Sequence, residues 1–327
     1  MPEAKQRRVA AIDCGTNSLR LLIADVDPDR GTLIDLHRRM EIVRLGQGVD
    51  ATGRLAPEAL ARTFAMLDEY ARTIRDSGAE AVRLVATSAT RDASNASEFR
   101  AGVRRILGVD PEVVSGAEEA YLSFRGATAE LAGDDRESGR PHPEPPFLVV
   151  DIGGGSTEFV FGTPEAAARG LSVISMNIGS VRLTERHLHD DPPTTGQVAA
   201  ATADIDAALT EVAAAIPVSR ARTLVGLAGS VTTLTAVALN LDHYDPFLVH
   251  HARIGAQRVH EVTTDLLTKN HAGRAAFGAI HPGRVDVIAA GSLIMDRIMN
   301  RFSFPEMVAS EHDILDGIAW SLASRQA

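Results

Sequence analysis

Two short segments hold most of the residues that could do chemistry: Asp13-Cys14-Gly15-Thr16-Asn17-Ser18 and Asp151-Ile152-Gly153-Gly154-Gly155-Ser156-Thr157-Glu158. Three consecutive glycines let the backbone approach a ligand closely. Ser156 and Thr157 add hydroxyl donors. Backbone N–H groups that converge at such a turn cradle phosphate oxygens without a large charge. Asp151 and Glu158 bracket this cradle. Carboxylates beside a phosphate site make sense if they hold Mg²⁺, often through water, or orient an attacking water. The segments lie 138 positions apart (151 − 13), and each follows an apolar run that reads as a strand. The pair is therefore a stronger signal than either alone. Neither carries the Gly-x-x-x-x-Gly-Lys-Ser/Thr of a P-loop or the Gly-x-Gly-x-x-Gly dinucleotide fingerprint.

The elements that must position these loops follow from spacing. Residues 8–13 and 18–26 read as two strands joined by the first loop. Apolar positions at Leu60, Phe64, Leu67, Ala71 and Ile74 predict a helix over 57–76, with Pro57 at its first position and Gly78 as its stop. Residues 81–87 read as a buried strand. Asn95 and Glu98 resemble a capping box opening a helix that ends at Gly108. A short strand at 112–114 and a helix at 117–131 follow. Residues 132–146 are rich in Gly, Pro and charge and mark a linker. The strand–acidic loop–strand pattern then restarts at 147–151 and 157–162, which suggests two related domains. Helices are expected at 195–216, 256–268 and 285–302, and strands at 223–227 and 307–309. A last helix is expected over 311–324, with Ser310 as N-cap and Asp313 at its third position. The alternation indicates an α/β protein.

The chain has 327 residues, which suits about two domains of roughly 100–200 residues each. Aromatic residues are only 4%, so Ala, Val, Leu and Ile must fill the interior. Cys14 is the single cysteine; it allows no intramolecular disulfide and fits a reducing compartment. The N-terminus lacks the apolar run of about 7–15 residues of a secretory signal. The longest apolar stretch, 224–239, is broken by Gly, Ser and Thr and falls short of the roughly 20 residues of a membrane span. The expectation is a cytoplasmic protein with no membrane partner. The formal net charge of −10 argues against nucleic acid as a partner. It also means that a polyanionic substrate must meet local cations, from arginines, metal ions or both.

Together these residues resemble the exopolyphosphatase/guanosine pentaphosphate phosphohydrolase family of the actin, heat-shock-chaperone and sugar-kinase superfamily. The likeness covers nearly the whole chain. Beyond the two loops it rests on Ala86-Thr87-Ser88-Ala89-Thr90-Arg91, Ser115-Gly116-Ala117-Glu118-Glu119-Ala120, residues 178–185, Gly226-Leu227-Ala228-Gly229-Ser230 and Pro282-Gly283-Arg284. The resemblance implies two ribonuclease-H-like domains with a cleft between them, here 1–131 and 147–309, with the last helix (about 310–327) packing back on the first. It implies attack of water on a terminal phosphoryl group with no covalent intermediate. The catalytic residues it implies are Glu119, as the base, and Glu158. Phosphate-binding positions would be Thr16, Asn17, Ser18, Arg20, Arg91, Gly153, Gly154, Gly155, Ser156, Thr157 and Arg284. Asp13, Asp151 and Glu158 would hold Mg²⁺ or another divalent cation. Glu118 would sit about 100° around the helix from Glu119, so both cannot face one water.

The expected substrate is inorganic polyphosphate, with guanosine pentaphosphate as the alternative, since both end in a phosphoanhydride. A kinase or ATPase of the same superfamily, with Leu227–Ser230 as a nucleotide loop, and a non-catalytic alarmone sensor are the rival readings. A homodimer is a further candidate assembly. Many relatives carry Arg-Glu-Gly near the start of the last helix where this chain has Leu315-Asp316-Gly317, so no role is carried to Asp316. Longer relatives add a C-terminal helical region absent from these 327 residues, which favours short polyphosphates.

Overall fold

A computed structural model describes residues 6–131, 143–166 and 170–324. Of the linker expected at 132–146, residues 132–142 lie outside this set. The described residues divide into two compact units. One runs to Ala129 and resumes at His312; the other is Glu130–Glu311.

The first unit is built on β1 (Arg7–Cys14), β2 (Ser18–Asp27), β3 (Thr32–Ile42), β4 (Ala81–Ala86) and β5 (Glu112–Val113), in the order β3-β2-β1-β4-β5. The pairs β1–β2 and β2–β3 are antiparallel; β1–β4 and β4–β5 are parallel. Its helices are α1 (Val49–Thr52), α2 (Pro57–Ser77), α3 (Ser88–Asp92), α4 (Ala96–Leu107), α5 (Gly116–Leu131) and the last helix (Ile314–Ser324). Successive side chains of a strand point to opposite faces. Ala10, Ile12 and Cys14 accordingly join Leu19, Leu21, Leu67 and Phe99 in one core. Val9 and Ala11 join Leu22, Leu122, Ile318 and Leu322 in another. Helices cover both faces, so the central strand reads as a continuous apolar run.

The second unit contains β6 (Phe147–Ile152), β7 (Thr157–Gly162), β8 (Ser172–Met176), β9 (Thr223–Leu227), β10 (Arg253–Gly255) and β11 (Glu306–Ala309), ordered β10-β11-β9-β6-β7-β8. The pairs β6–β7 and β7–β8 are antiparallel and β6–β9 and β9–β11 parallel, so the run β8-β7-β6-β9-β11 repeats the first unit's sheet. Both sheets thus have the ribonuclease-H-like arrangement. Helices α6 (Ser180–His187), α7 (Thr195–Ala215), α8 (Ala228–Ala238), α9 (Pro246–Val249), α10 (Ala256–Thr268), α11 (His271–Ala275) and α12 (Ile288–Phe302) complete the unit around one core. No described helix is long and apolar enough to cross a membrane.

Several local expectations are corrected. The capping box at Asn95 does not form. Its side chain instead bonds both backbone groups of Leu55, accepting from N (2.8 Å) and donating to O (3.1 Å). The last helix starts at Ile314, not Glu311. Asp313 rather than Ser310 caps it: Asp313 Oδ1 accepts from Leu315 N (3.0 Å), and Asp316 Oδ2 accepts from Asp313 N (3.0 Å). The two bonds cap the helix start reciprocally, one turn later than expected. Ser310 stays in the second unit, its N–H donating to Gly226 O (3.0 Å). The helix expected from 285 begins at Ile288, because residues 282–284 form a separate 3₁₀ turn.

Candidate functional site

In the first unit the chemistry-bearing residues gather at one edge. Strands β1, β4 and β5 run parallel, so the segments leaving their carboxyl ends emerge together, which is where open α/β sheets place ligands. Loop one leaves β1, α3 leaves β4 and α5 follows β5. The chain turns tightly at loop one, where Gly15 N donates to Ser18 O (3.0 Å). The carbonyls of Thr16 and Asn17 accept from Gly46 N (2.8 Å) and from Val43 N and Arg44 N (3.1 and 2.8 Å). A side chain at Gly46 would put its Cβ 2.3 Å from Thr16 Cγ2, so only glycine permits that brace. The N–H groups of Thr16 and Asn17 have no partner among the described residues, leaving donors for an anion.

Contacts then run from the loop to the expected base. The hydroxyls of Thr16 and Ser88 are hydrogen-bonded at 2.9 Å. Ser88 opens α3, which ends in Arg91 and Asp92. Arg91 Nη1 donates to Val114 O (3.0 Å) and to Glu119 Oε2 (3.1 Å). Glu119 is buried, in the first turn of α5, where the helix dipole favours a carboxylate. Glu118 points elsewhere, accepting from the buried Arg83 at 3.0 Å. The two adjacent glutamates therefore have different partners.

Asp13 and Arg20 are cross-strand partners. Arg20 Nε and Nη2 both reach Asp13 Oδ2 (2.9 and 2.8 Å), and Nη1 donates to Asp313 Oδ2. Expected as a phosphate ligand, Arg20 is engaged with two carboxylates. Burial pushes the Asp13 carboxyl up, and Asp313 adds to this against the lowering effect of Arg20. Asp13 Oδ1 is buried without a hydrogen-bond partner.

Loop two repeats the turn: Gly153 N donates to Ser156 O (3.0 Å). Here the carbonyls are tied to the start of α6. Ser180 N donates to Gly153 O (3.0 Å), and Val181 N and Arg182 N donate to Gly154 O (2.9 and 3.0 Å). Arg182 Nε donates to Gly155 O (2.6 Å). A Cβ on Gly179 would lie 2.4 Å from Gly154 O, so this close approach requires glycine. The N–H groups of Gly154, Gly155 and Ser156 have no partner among the described residues. Thr157, expected to offer its hydroxyl to phosphate, directs it to Ile178 O.

Asp151 and Glu158 are direct cross-strand partners. Both are buried, Glu158 to 1% exposure. In loop one the corresponding place is taken by Arg20. Glu158 Oε1 accepts from Ser175 Oγ (2.7 Å). Like charges directly opposed across strands repel, a cost that a divalent cation would remove. Among the described residues no group of three or more His, Cys, Asp and Glu side chains closes on an ion position. Mg²⁺ suits this pair, because it takes one or two carboxylates and completes its shell with water and phosphate oxygens. Arg284 lies on the same edge. Asp151 and Leu227 are partners on adjacent parallel strands. Past Leu227, Arg284 Nη1 donates to Gly229 O and to Thr233 Oγ1, each at 3.2 Å. Its guanidinium lies so close to Gly229 that a Cβ there would be 2.2 Å away.

Asp313, Ser175, Ser88, Gly179 and Arg182 escaped the sequence reading as site residues. Gly179 and Arg182 stood inside a motif already singled out, whereas Ser175 and Asp313 carried no signal.

Each of the two ribonuclease-H-like units carries an acidic loop of open N–H groups at the carboxyl edge of its sheet. The model of the Ppx/GppA phosphatase family matches residues 22–326. The chain is 48% identical to Exopolyphosphatase 2 of Mycobacterium tuberculosis, over 97% of this chain and 98% of that protein. The crystal structure of an exopolyphosphatase-like protein is similar at 43% identity and a TM-score of 0.89, covering 96% of this chain and 98% of that one. A structure of the Aquifex aeolicus PPX-GPPA enzyme is similar at 33% identity and a TM-score of 0.78, covering 96% and 99%. The chain belongs to the Ppx/GppA phosphatase family.

Proposed function

We propose that the protein is an exopolyphosphatase that hydrolyses the terminal phosphoanhydride of inorganic polyphosphate and releases orthophosphate. The observation that carries this reading is Glu119, buried and fixed by Arg91 at the edge where loop one opens. Similarity along the full chain to an exopolyphosphatase supports the choice of substrate.

In this reading Glu119 orients a water and accepts its proton as the water oxygen bonds to the terminal phosphorus. The bridging P–O bond breaks, and the shortened chain leaves with the electron pair. A positioned base contributes about 10²–10⁴-fold. The remaining acceleration comes from placement and charge neutralisation, as in phosphoryl transfer generally. The open N–H groups of Thr16 and Asn17 are donors for non-bridging phosphate oxygens in the first unit, and those of Gly154, Gly155 and Ser156 are the equivalent donors in the second. Asp151 and Glu158 would hold Mg²⁺. Bound there, the ion would offset the negative charge of the phosphate oxygens.

The test is orthophosphate release from polyphosphates of defined length and from guanosine pentaphosphate, with and without Mg²⁺. Turnover of polyphosphate that requires Mg²⁺ is expected. Release from guanosine pentaphosphate alone would overturn the substrate assignment.

A further inference from the structure

Arg20 and Asp313 come from opposite ends of the sequence, 293 positions apart. The guanidinium of Arg20, whose side chain is 17% exposed, reaches Asp13 through two nitrogens and Asp313 through the third. The other oxygen of Asp313, Oδ1, holds Leu315 N within the helix cap. Asp313 is itself fixed from behind. Its N–H is held by Asp316, which takes Arg38 and His312 as partners. Its carbonyl lies where a Cβ on Gly126 of α5 would come within 1.8 Å. Gly126 is about two turns beyond Glu119 on the same helix. The start of the last helix therefore touches both the helix that carries the expected base and the arginine that grips loop one.

We propose that Asp313 is a positioning residue for loop one: it pins Arg20 onto Asp13, so that Arg20 serves as the internal counter-ion of the loop rather than as a phosphate ligand. A planar fork holds two carboxylates in fixed directions, whereas a lysine offers a point charge with no fixed fork. With both ends of the fork taken, Asp13 Oδ2 is held in place and Oδ1 is the oxygen left to meet a ligand. Loop two has a carboxylate, Glu158, at the equivalent register position, so this lock exists only in the first unit.

Cys14 supplies a native reporter. It is the only cysteine, sits beside Asp13, and is 1% exposed. Its side chain lies in the core at the end of β1, so a thiol reagent reaches it only when the strand end that leads into loop one parts from that core. Asp313→Asn keeps an oxygen to cap Leu315 but removes the charge that holds Arg20. His312→Ala loosens the same helix start without touching Arg20. We expect Asp313→Asn to speed Cys14 labelling about tenfold, as the loss of one charge-assisted hydrogen bond implies, while His312→Ala leaves it near wild type at a similar Tm. Arg20→Lys should label as fast as Asp313→Asn, and it decides the matter if Asp313→Asn does not fold. The kinetic arm rests on the exopolyphosphatase reading: kcat for polyphosphate should fall about tenfold in Asp313→Asn while KM changes much less, the mark of lost positioning. The labelling arm needs no substrate and stands whatever that substrate is. Labelling in Asp313→Asn and Arg20→Lys no faster than in His312→Ala would overturn the proposal.

Discussion

Glu119→Gln separates the role of the base from the stability of its surroundings. Gln has nearly the same volume and keeps a carbonyl oxygen for Arg91 Nη1, now 3.1 Å from Glu119 Oε2. The exchange turns an ion pair into a hydrogen bond from a cation to a neutral carbonyl, a change of about 1 kcal/mol. What it removes is the ability to accept a proton. A general base contributes about 10²–10⁴-fold, or roughly 2.7–5.5 kcal/mol of barrier at 1.36 kcal/mol per tenfold. The kinetic effect should therefore exceed the effect on stability several-fold. Orthophosphate release at saturating polyphosphate gives kcat, and thermal melts give stability. Glu118→Gln is the matched control, because Glu118 serves Arg83 instead, and it should keep near-wild-type kcat. A Glu119→Gln enzyme within about threefold of wild type would refute the assignment of the base, since no positioned base contributes so little.

Gly179→Ala forces a Cβ to 2.4 Å from the Gly154 carbonyl; loop two must shift, and KM for polyphosphate should rise in steady-state kinetics. Arg38→Met strands Asp316, a carboxylate with 1% exposure, and should cost about 3–5 kcal/mol at neutral pH in denaturant melts. Burial pushes the Asp316 carboxyl up, but Arg38 and His312 outweigh it and hold it well below the usual carboxylate range. Its stabilising contribution is thus present above about pH 3.9, the ordinary Asp value, and is lost as pH falls through the lower folded value. Melts across pH should therefore show the gap between Arg38→Met and wild type narrowing in acid; a constant gap would contradict the pairing.

Much of the scaffold was legible because its elements obey simple periods. The helix at 57–76 showed a clean apolar stripe and closes at Gly78, whose φ of 68° is the left-handed conformation expected of a stop. Strand β1 read correctly because covering on both faces makes it apolar from Val9 to Ile12. Where burial broke those rules, the reading failed. Helix α8 is buried from Ser230 to Ala238, so it has no polar face to give a moment, and it registered only as an apolar stretch. Strand β3 was missed for the opposite reason: it is an edge strand, mostly exposed, with polar residues on both sides. The site was half legible. Glycines and acids announced the loops, because backbone approach and cation binding restrict residue type. The partners that aim them could not be read, since Ser175 and Asp313 are ordinary residues brought in by sheet register and by the return of the chain. Arg20 shows the same limit: the family resemblance implied a phosphate contact, and its two carboxylate partners, Asp13 and Asp313, carry no signal in the spacing of the sequence.

The central claim is that water attacks the terminal phosphorus of a polyphosphate chain. Turnover of a defined-length polyphosphate in water enriched in heavy oxygen, followed by mass spectrometry of both products, tests it directly. The account predicts one heavy oxygen in each orthophosphate released and none at the new chain end. Label at the shortened chain instead would place the attack on the penultimate phosphorus and contradict it.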